Sequence, residues 1–208
     1  MVQTGAATRK PVTPVAAKEV VKVARTDRRL VDLMVSWTGA VMAVALIALG
    51  GAALYGGNFA LDNVRDRLAP QNISFPPAEA MTPEETAEVG EFAGAKVDTG
   101  AEAEAFSRYI GGHLVGINDG KTYSETSAMA REEGIPADQA AELGAKADSL
   151  FKGETLRAIL LNAYGWWTVG QITMWAGIGA IFAGLLLVLF GALGFQHARK
   201  ARKATDPA

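Results

Sequence analysis

The chain has no cysteine, two histidines (His113 and His197) and eight prolines in 208 residues. The missing cysteines exclude a disulfide framework, a thiolate zinc site, an iron–sulfur centre and thiol catalysis. Two histidines leave almost nothing for a histidine-based metal site. Charge is missing in blocks. No Asp, Glu, Lys or Arg occurs in the 29 residues between Asp32 and Asp62, nor in the 41 between Arg157 and Arg199. A helix crosses the hydrocarbon core with about 20 apolar residues, so these two runs exclude an ordinary soluble globular protein. No segment alternates apolar and polar residues as a half-buried strand would, and no dependable internal repeat is present. The 38 alanines favour helix throughout.

What remains is a pair of greasy runs around a charged middle. The densest part of the first run, Trp37 to Tyr55, is 19 residues with an aromatic at each end. At 1.5 Å per residue it spans about 28 Å, close to a bilayer core of about 30 Å. The second run carries Tyr164, Trp166 and Trp167 at its entry and Phe195 at its exit, where interfacial aromatics belong. A secretory signal is excluded for the first run by the 32-residue basic segment before it and by its full-span length. The expected fold is all-α: an integral membrane helical hairpin bearing an α-helical extracytoplasmic domain. Its parts are a basic tail (1–32), spans at 33–60 and 164–195, an acidic helical domain (61–163) and a second basic tail (196–208).

Charge sets the orientation. The two tails hold eleven basic and four acidic residues, net +7, whereas Asp62–Arg157 holds nine basic and eighteen acidic, net −9. Basic flanks stay in the cytoplasm. Both termini are therefore expected inside a plasma membrane and the acidic domain outside. The overall charge of −2 conceals this separation.

Residues 1–17 read as a disordered tail and Lys18–Asp32 as a basic flank. In the middle, Thr82-Pro83-Glu84-Glu85, Thr99-Gly100-Ala101-Glu102 and Thr122-Tyr123-Ser124-Glu125 are three capping boxes, each opening a helix. Phe106, Tyr109, Ile110, His113, Leu114 and Ile117 recur at helical spacing after the second box. Asn118-Asp119-Gly120 predicts a turn, and Gly134 and Pro136 precede a helix bearing Leu143, Ala147, Leu150 and Phe151. From Glu154 to about Phe195 only glycines interrupt a helical pattern.

Chemical motifs are few. Gly116–Thr122 resembles a phosphate loop, but the motif requires glycine where Val115 stands. A turn followed by an N-cap accounts for it. Ser149-Leu150-Phe151-Lys152 matches the serine acyl-enzyme pattern, yet Lys121-Thr122 continues into Tyr123 rather than glycine. Asn72-Ile73-Ser74 is a glycosylation sequon, which matters only in a eukaryotic secretory host; the alanine-rich, cysteine-free composition points instead to a bacterium, where it has no meaning. His113 falls on an apolar stripe, as a packing residue or one that titrates near neutrality. Small residues four apart, Ala48, Ala52 and Gly56 in one span and Ala176, Ala180 and Gly184 in the other, offer helix-packing seams. No charged side chain enters either span, which argues against a pump or channel. No residue is assigned to catalysis, a cofactor or a metal.

Tyr109-Ile110-Gly111-Gly112-His113-Leu114, Asp119–Tyr123, Gly153–Arg157 and Leu160–Tyr164 with Gln171 carry a resemblance. Over residues 33–200 the chain resembles a group of uncharacterised actinobacterial proteins with two spans and an outer helical loop. Some of that group carry the label of an aromatic ring-opening dioxygenase. Such iron enzymes use two histidines and a carboxylate, whereas His113 and His197 are expected on opposite sides of a membrane, so no role is carried over. The reading is a non-catalytic accessory or scaffolding subunit of an envelope or membrane complex. Its expected partners are the lipid bilayer and a membrane protein or a second copy, with no nucleic acid. Tyr109, Tyr123, Trp166 and Trp167 are the expected partner contacts. The alternatives are an extracytoplasmic ligand or cation sensor, and an extracytoplasmic enzyme using paired carboxylates.

Overall fold

The computed structural model describes the backbone of residues 14–203 and the side chains of residues 30–196 and 199. The disordered reading of residues 1–13, the side chain of His197 and the last five residues lie outside that range. Among the described residues the fold is all-helical: α1 (Pro14–Leu68), α2 (Pro83–Val89), α3 (Gly100–Val115), α4 (Tyr123–Met129) and α5 (Ala137–Lys203). Prolines set the limits of the long helices. None occurs between Pro14 and Pro70 or between Pro136 and Pro207, so nothing removes a backbone donor within either. Residues 14–17 belong to α1 rather than to an unstructured tail. α5 begins 17 residues before Glu154 and reaches 67 residues, about 100 Å. Both long helices contain stretches long and apolar enough to cross a membrane, with mean hydropathies of 2.0 and 2.5.

The chain divides into two compact units. The first comprises Met1–Gly51 and Gly179–Ala208. Here Ala43 is fully buried, and Gly184 lies so close to α1 that a Cβ on it would stand 2.7 Å from Ile47 Cγ1 and 3.0 Å from the Ala43 carbonyl oxygen. The large side chains Trp37, Val41, Val44, Phe182, Leu185 and Phe190 are exposed.

The second unit is Ala52–Ile178. Its ends of α1 and α5 touch where a Cβ on Gly57 would lie 2.8 Å from the Gly170 oxygen and the Met174 nitrogen. Where the long helices meet, buried positions recur seven apart: Ala43 and Gly50 on α1 in the first unit, Gly57 and Val64 on α1 and Gly170 and Gly177 on α5 in the second; Leu68, Leu143, Ala147, Leu150 and Leu160 are buried as well. This spacing is seven, not four, as expected of helices packed at a shallow angle. Ala48, Ala52, Gly56 and Ala176 are consequently exposed and Ala180 half-buried, while Gly184 is buried.

Beyond the long helices, the second unit builds a small core. Val64, Leu68, Phe75, Val89, Val97, Ala103, Ala105 and Leu160 form it. Phe75 is its centre, stacked on Phe92 at 5.5 Å and meeting Phe106 edge-on at 5.0 Å. The backbone holds Phe75 there: its N–H donates to the Ala95 oxygen at 2.9 Å, and Val97 N–H to the Ile73 oxygen at 2.9 Å. A single antiparallel bridge, Ser74 to Lys96, results. All three capping boxes form, with the Thr82, Thr99 and Thr122 hydroxyls accepting from the backbone N–H of Glu85, Glu102 and Glu125. Each such cap stabilises its helix by about 1 kcal/mol. α3 starts against α5, because a Cβ on Gly100 would overlap the Trp167 side chain.

Candidate functional site

Two clefts flank α3. The first, about 200 Å³, is lined by Glu84, Glu85 and Glu88 of α2 and by Tyr109 and His113 of α3. Glu85 does two things here. Its Oε2 accepts the Thr82 backbone N–H at 2.8 Å, closing the capping box, and its Oε1 lies 3.2 Å from His113 Nε2. The other ring nitrogen, Nδ1, is 3.0 Å from the Tyr109 carbonyl oxygen. Both nitrogens thus face acceptors, and only the doubly protonated ring can donate to both. The His113 side chain is 54% exposed, so it stands at the rim of the apolar stripe rather than inside it. Burial, and after it the Glu85 carboxylate, push the Tyr109 hydroxyl above its ordinary value. Arg108 fastens α2 to α3, donating from Nη1 to the Glu88 carbonyl oxygen at 3.0 Å and from Nε to Glu104 at 2.9 Å. Among the described residues no three metal-binding side chains converge.

The second cleft, about 290 Å³, lies where the end of α3, the start of α4 and α5 meet. Leu114, Val115 and Leu150 give it apolar walls, and Lys121, Glu154 and Arg157 give it charge. Arg157 is held from both sides. Its Nε donates to the Ser107 carbonyl oxygen at 3.1 Å and its Nη1 to Glu154 at 2.9 Å. Gly111 makes room for it: a Cβ there would stand 3.2 Å from Cζ. The turn before α4 is built from Asp119 and Gly120, both with positive φ (49° and 75°), and from Asn118, whose Nδ2 donates to Thr126 Oγ1 at 2.9 Å. Thr122 then caps α4, and its N–H and hydroxyl hold the Glu125 carboxyl below its ordinary value. The phosphate-loop-like segment is therefore a helix end, a turn and a cap.

The four aromatic contact candidates separate. Tyr109 and Trp167 pack against the core, and the Trp167 ring also receives the Arg65 guanidinium at 5.9 Å. Tyr123 and Trp166 are exposed, and Tyr123 lies 5.4 Å from Phe151. Ser149 and Lys152 do not form a catalytic pair. The Ser149 hydroxyl donates to the Ala145 oxygen at 3.0 Å, and Lys152 pairs with Asp148 at 2.6 Å. In the sequence Arg157 marks the edge of an uncharged run and closes one of the segments that carry the resemblance, without a site role. Its reach to Ser107, fifty positions away, has no local signal. No protein-family model, curated protein or solved structure matches this chain.

Proposed function

We propose that this chain is a two-span plasma-membrane protein with cytoplasmic termini and an acidic extracytoplasmic helical domain. In this reading it serves without catalysis, as an accessory or scaffolding subunit of a bacterial envelope or membrane complex. One observation carries the proposal. In the second unit, Arg65 of α1 reaches Trp167, so the α5 segment 158–166 runs beside the charged end of α1, Asp62 to Arg67. That charged end belongs in water, beyond the hydrocarbon. Yet segment 158–166 carries no charge and exposes Ile159 (59%), Leu161 and Trp166 (60%). Leu160 between them is buried, so the exposed side chains lie on the faces of α5 turned away from the core. Ile159 and Leu161, apolar side chains held in water before the second span, mark an interaction surface, and Trp166 beside them at the entry of that span is a favoured anchor.

Purification in mild detergent followed by native mass spectrometry tests this. A stoichiometric membrane partner or a homo-oligomer is expected, lost on Ile159→Asp with helicity unchanged. A clean monomer of the wild type would overturn it.

A further inference from the structure

The second cleft has a chemistry that the rest of the helical domain lacks. Between Asp62 and Arg157 acids outnumber bases two to one, eighteen to nine. In this cleft the balance reverses. Its carboxylate, Glu154, is already bonded to Arg157 through both oxygens, at 2.9 and 3.1 Å. Lys121 makes no ion pair within 4.0 Å among the described residues. Asp119, two positions away, forms no ion pair with it within 4.0 Å, and Glu125, whose charge Lys121 helps to stabilise from a distance, has turned its carboxylate into the Thr122 cap. Arg157 Nη2 likewise has no hydrogen-bond partner among the described residues, because Ser107 and Glu154 take Nε and Nη1. An ammonium and one guanidinium nitrogen are thus left to serve an acceptor from outside. Beside them stand apolar walls, of which Val115 is 61% exposed at the end of α3.

We propose that this cleft binds a small amphipathic carboxylate. Lys121 and Arg157 hold the carboxylate oxygens, and the apolar body lies on Leu114, Val115 and Leu150. Two donor groups match the two oxygens of a monoanion. The walls disfavour a bare inorganic anion, which would lose water there without gaining apolar contact. The volume of about 290 Å³ lies at the lower edge of small-molecule pockets, roughly 300–1,000 Å³, so the ligand is of metabolite size. This inference is independent of the scaffolding role.

The test uses the full chain in nanodiscs, titrated calorimetrically with phenylacetate against empty nanodiscs. Phenethylamine and inorganic phosphate serve as controls for charge sign and for the apolar body. Phenylacetate is expected to bind in the millimolar range or tighter, and neither control is expected to bind comparably. Lys121→Gln is expected to weaken phenylacetate about tenfold, one charge-assisted hydrogen bond being removed. Val115→Asn, at an exposed position outside the core, is expected to weaken it several-fold with helicity unchanged. No heat with phenylacetate, equal binding of phenethylamine or phosphate, or wild-type affinity in Lys121→Gln would each overturn the assignment.

Discussion

Gly100 and Gly112 both lie in α3, and the same substitution at each is expected to act in opposite directions. Gly112 is interior to the helix, and a Cβ there meets nothing within 4 Å. Gly112→Ala therefore removes backbone freedom from the unfolded chain alone and stabilises by about 0.5–1 kcal/mol. Gly100 opens the helix, and its Cβ position is already occupied by Trp167. That indole packs against the core and receives Arg65 on its ring, so yielding to a methyl costs it those contacts. Forcing a methyl into such a site costs about 1–3 kcal/mol. The two variants should thus differ by about 1.5–4 kcal/mol. For a domain of this size that corresponds to roughly 3–16 °C in Tm. Thermal unfolding of each full-length variant in nanodiscs, followed by near-ultraviolet circular dichroism, measures it. A Trp167→Ala background supplies the control, since the penalty at Gly100 must shrink when the indole is gone. A Gly100→Ala protein as stable as Gly112→Ala would refute the close approach of α3 to α5.

Two further outcomes are expected. A phosphatase reporter fused at Ala130 should be active and one fused at Ala208 silent, and the reverse pattern would invert the orientation. The capping of α4 should depend on pH. The folded-state value of Glu125 is depressed by its bonds from Thr122, so its contribution is complete above the ordinary value near 4.5 and is lost as pH falls through the folded value. Hydrogen exchange at α4 amides should accelerate below about pH 4 after correction for the intrinsic rate, and Thr122→Ala should flatten that dependence. An α4 equally protected in acid, or a variant with the wild-type profile, would show that the cap is not the source.

The helical class, the end of α1 before Pro70 and the three capped helices were legible because each rests on a local rule. A threonine three residues before a glutamate needs no tertiary partner to cap a helix, and proline ends α1 without one. The packing between long helices was not legible in the same way. Small residues four apart occur by composition in alanine-rich helices, so Ala48, Ala52 and Gly56 offered themselves as a seam, while Ala43, Gly50 and Gly57 are the buried ones. Choosing between them requires knowing the angle at which two helices meet. His113 shows a similar limit. Periodicity put it on the apolar stripe, but the Glu85 carboxylate of another helix holds it at the rim. The second cleft escaped for the plainest reason: Lys121 comes from the turn before α4 and Leu150 and Arg157 from α5, and the three carry no shared motif.

Leu160 is the largest of the fully covered side chains at the centre of the core, and it arrives last. The other buried members of that cluster end at Ala105, with Val97 itself 63 positions earlier than Leu160. At about 5–20 residues per second, a ribosome making this chain needs roughly 3–13 s to travel from one to the other. During that interval Phe75 and Val97 have nascent helices around them but no lid of aliphatic carbon. A growing polypeptide in that condition is a natural client for a holdase, and truncation before Leu160 would leave the cluster permanently without its keystone.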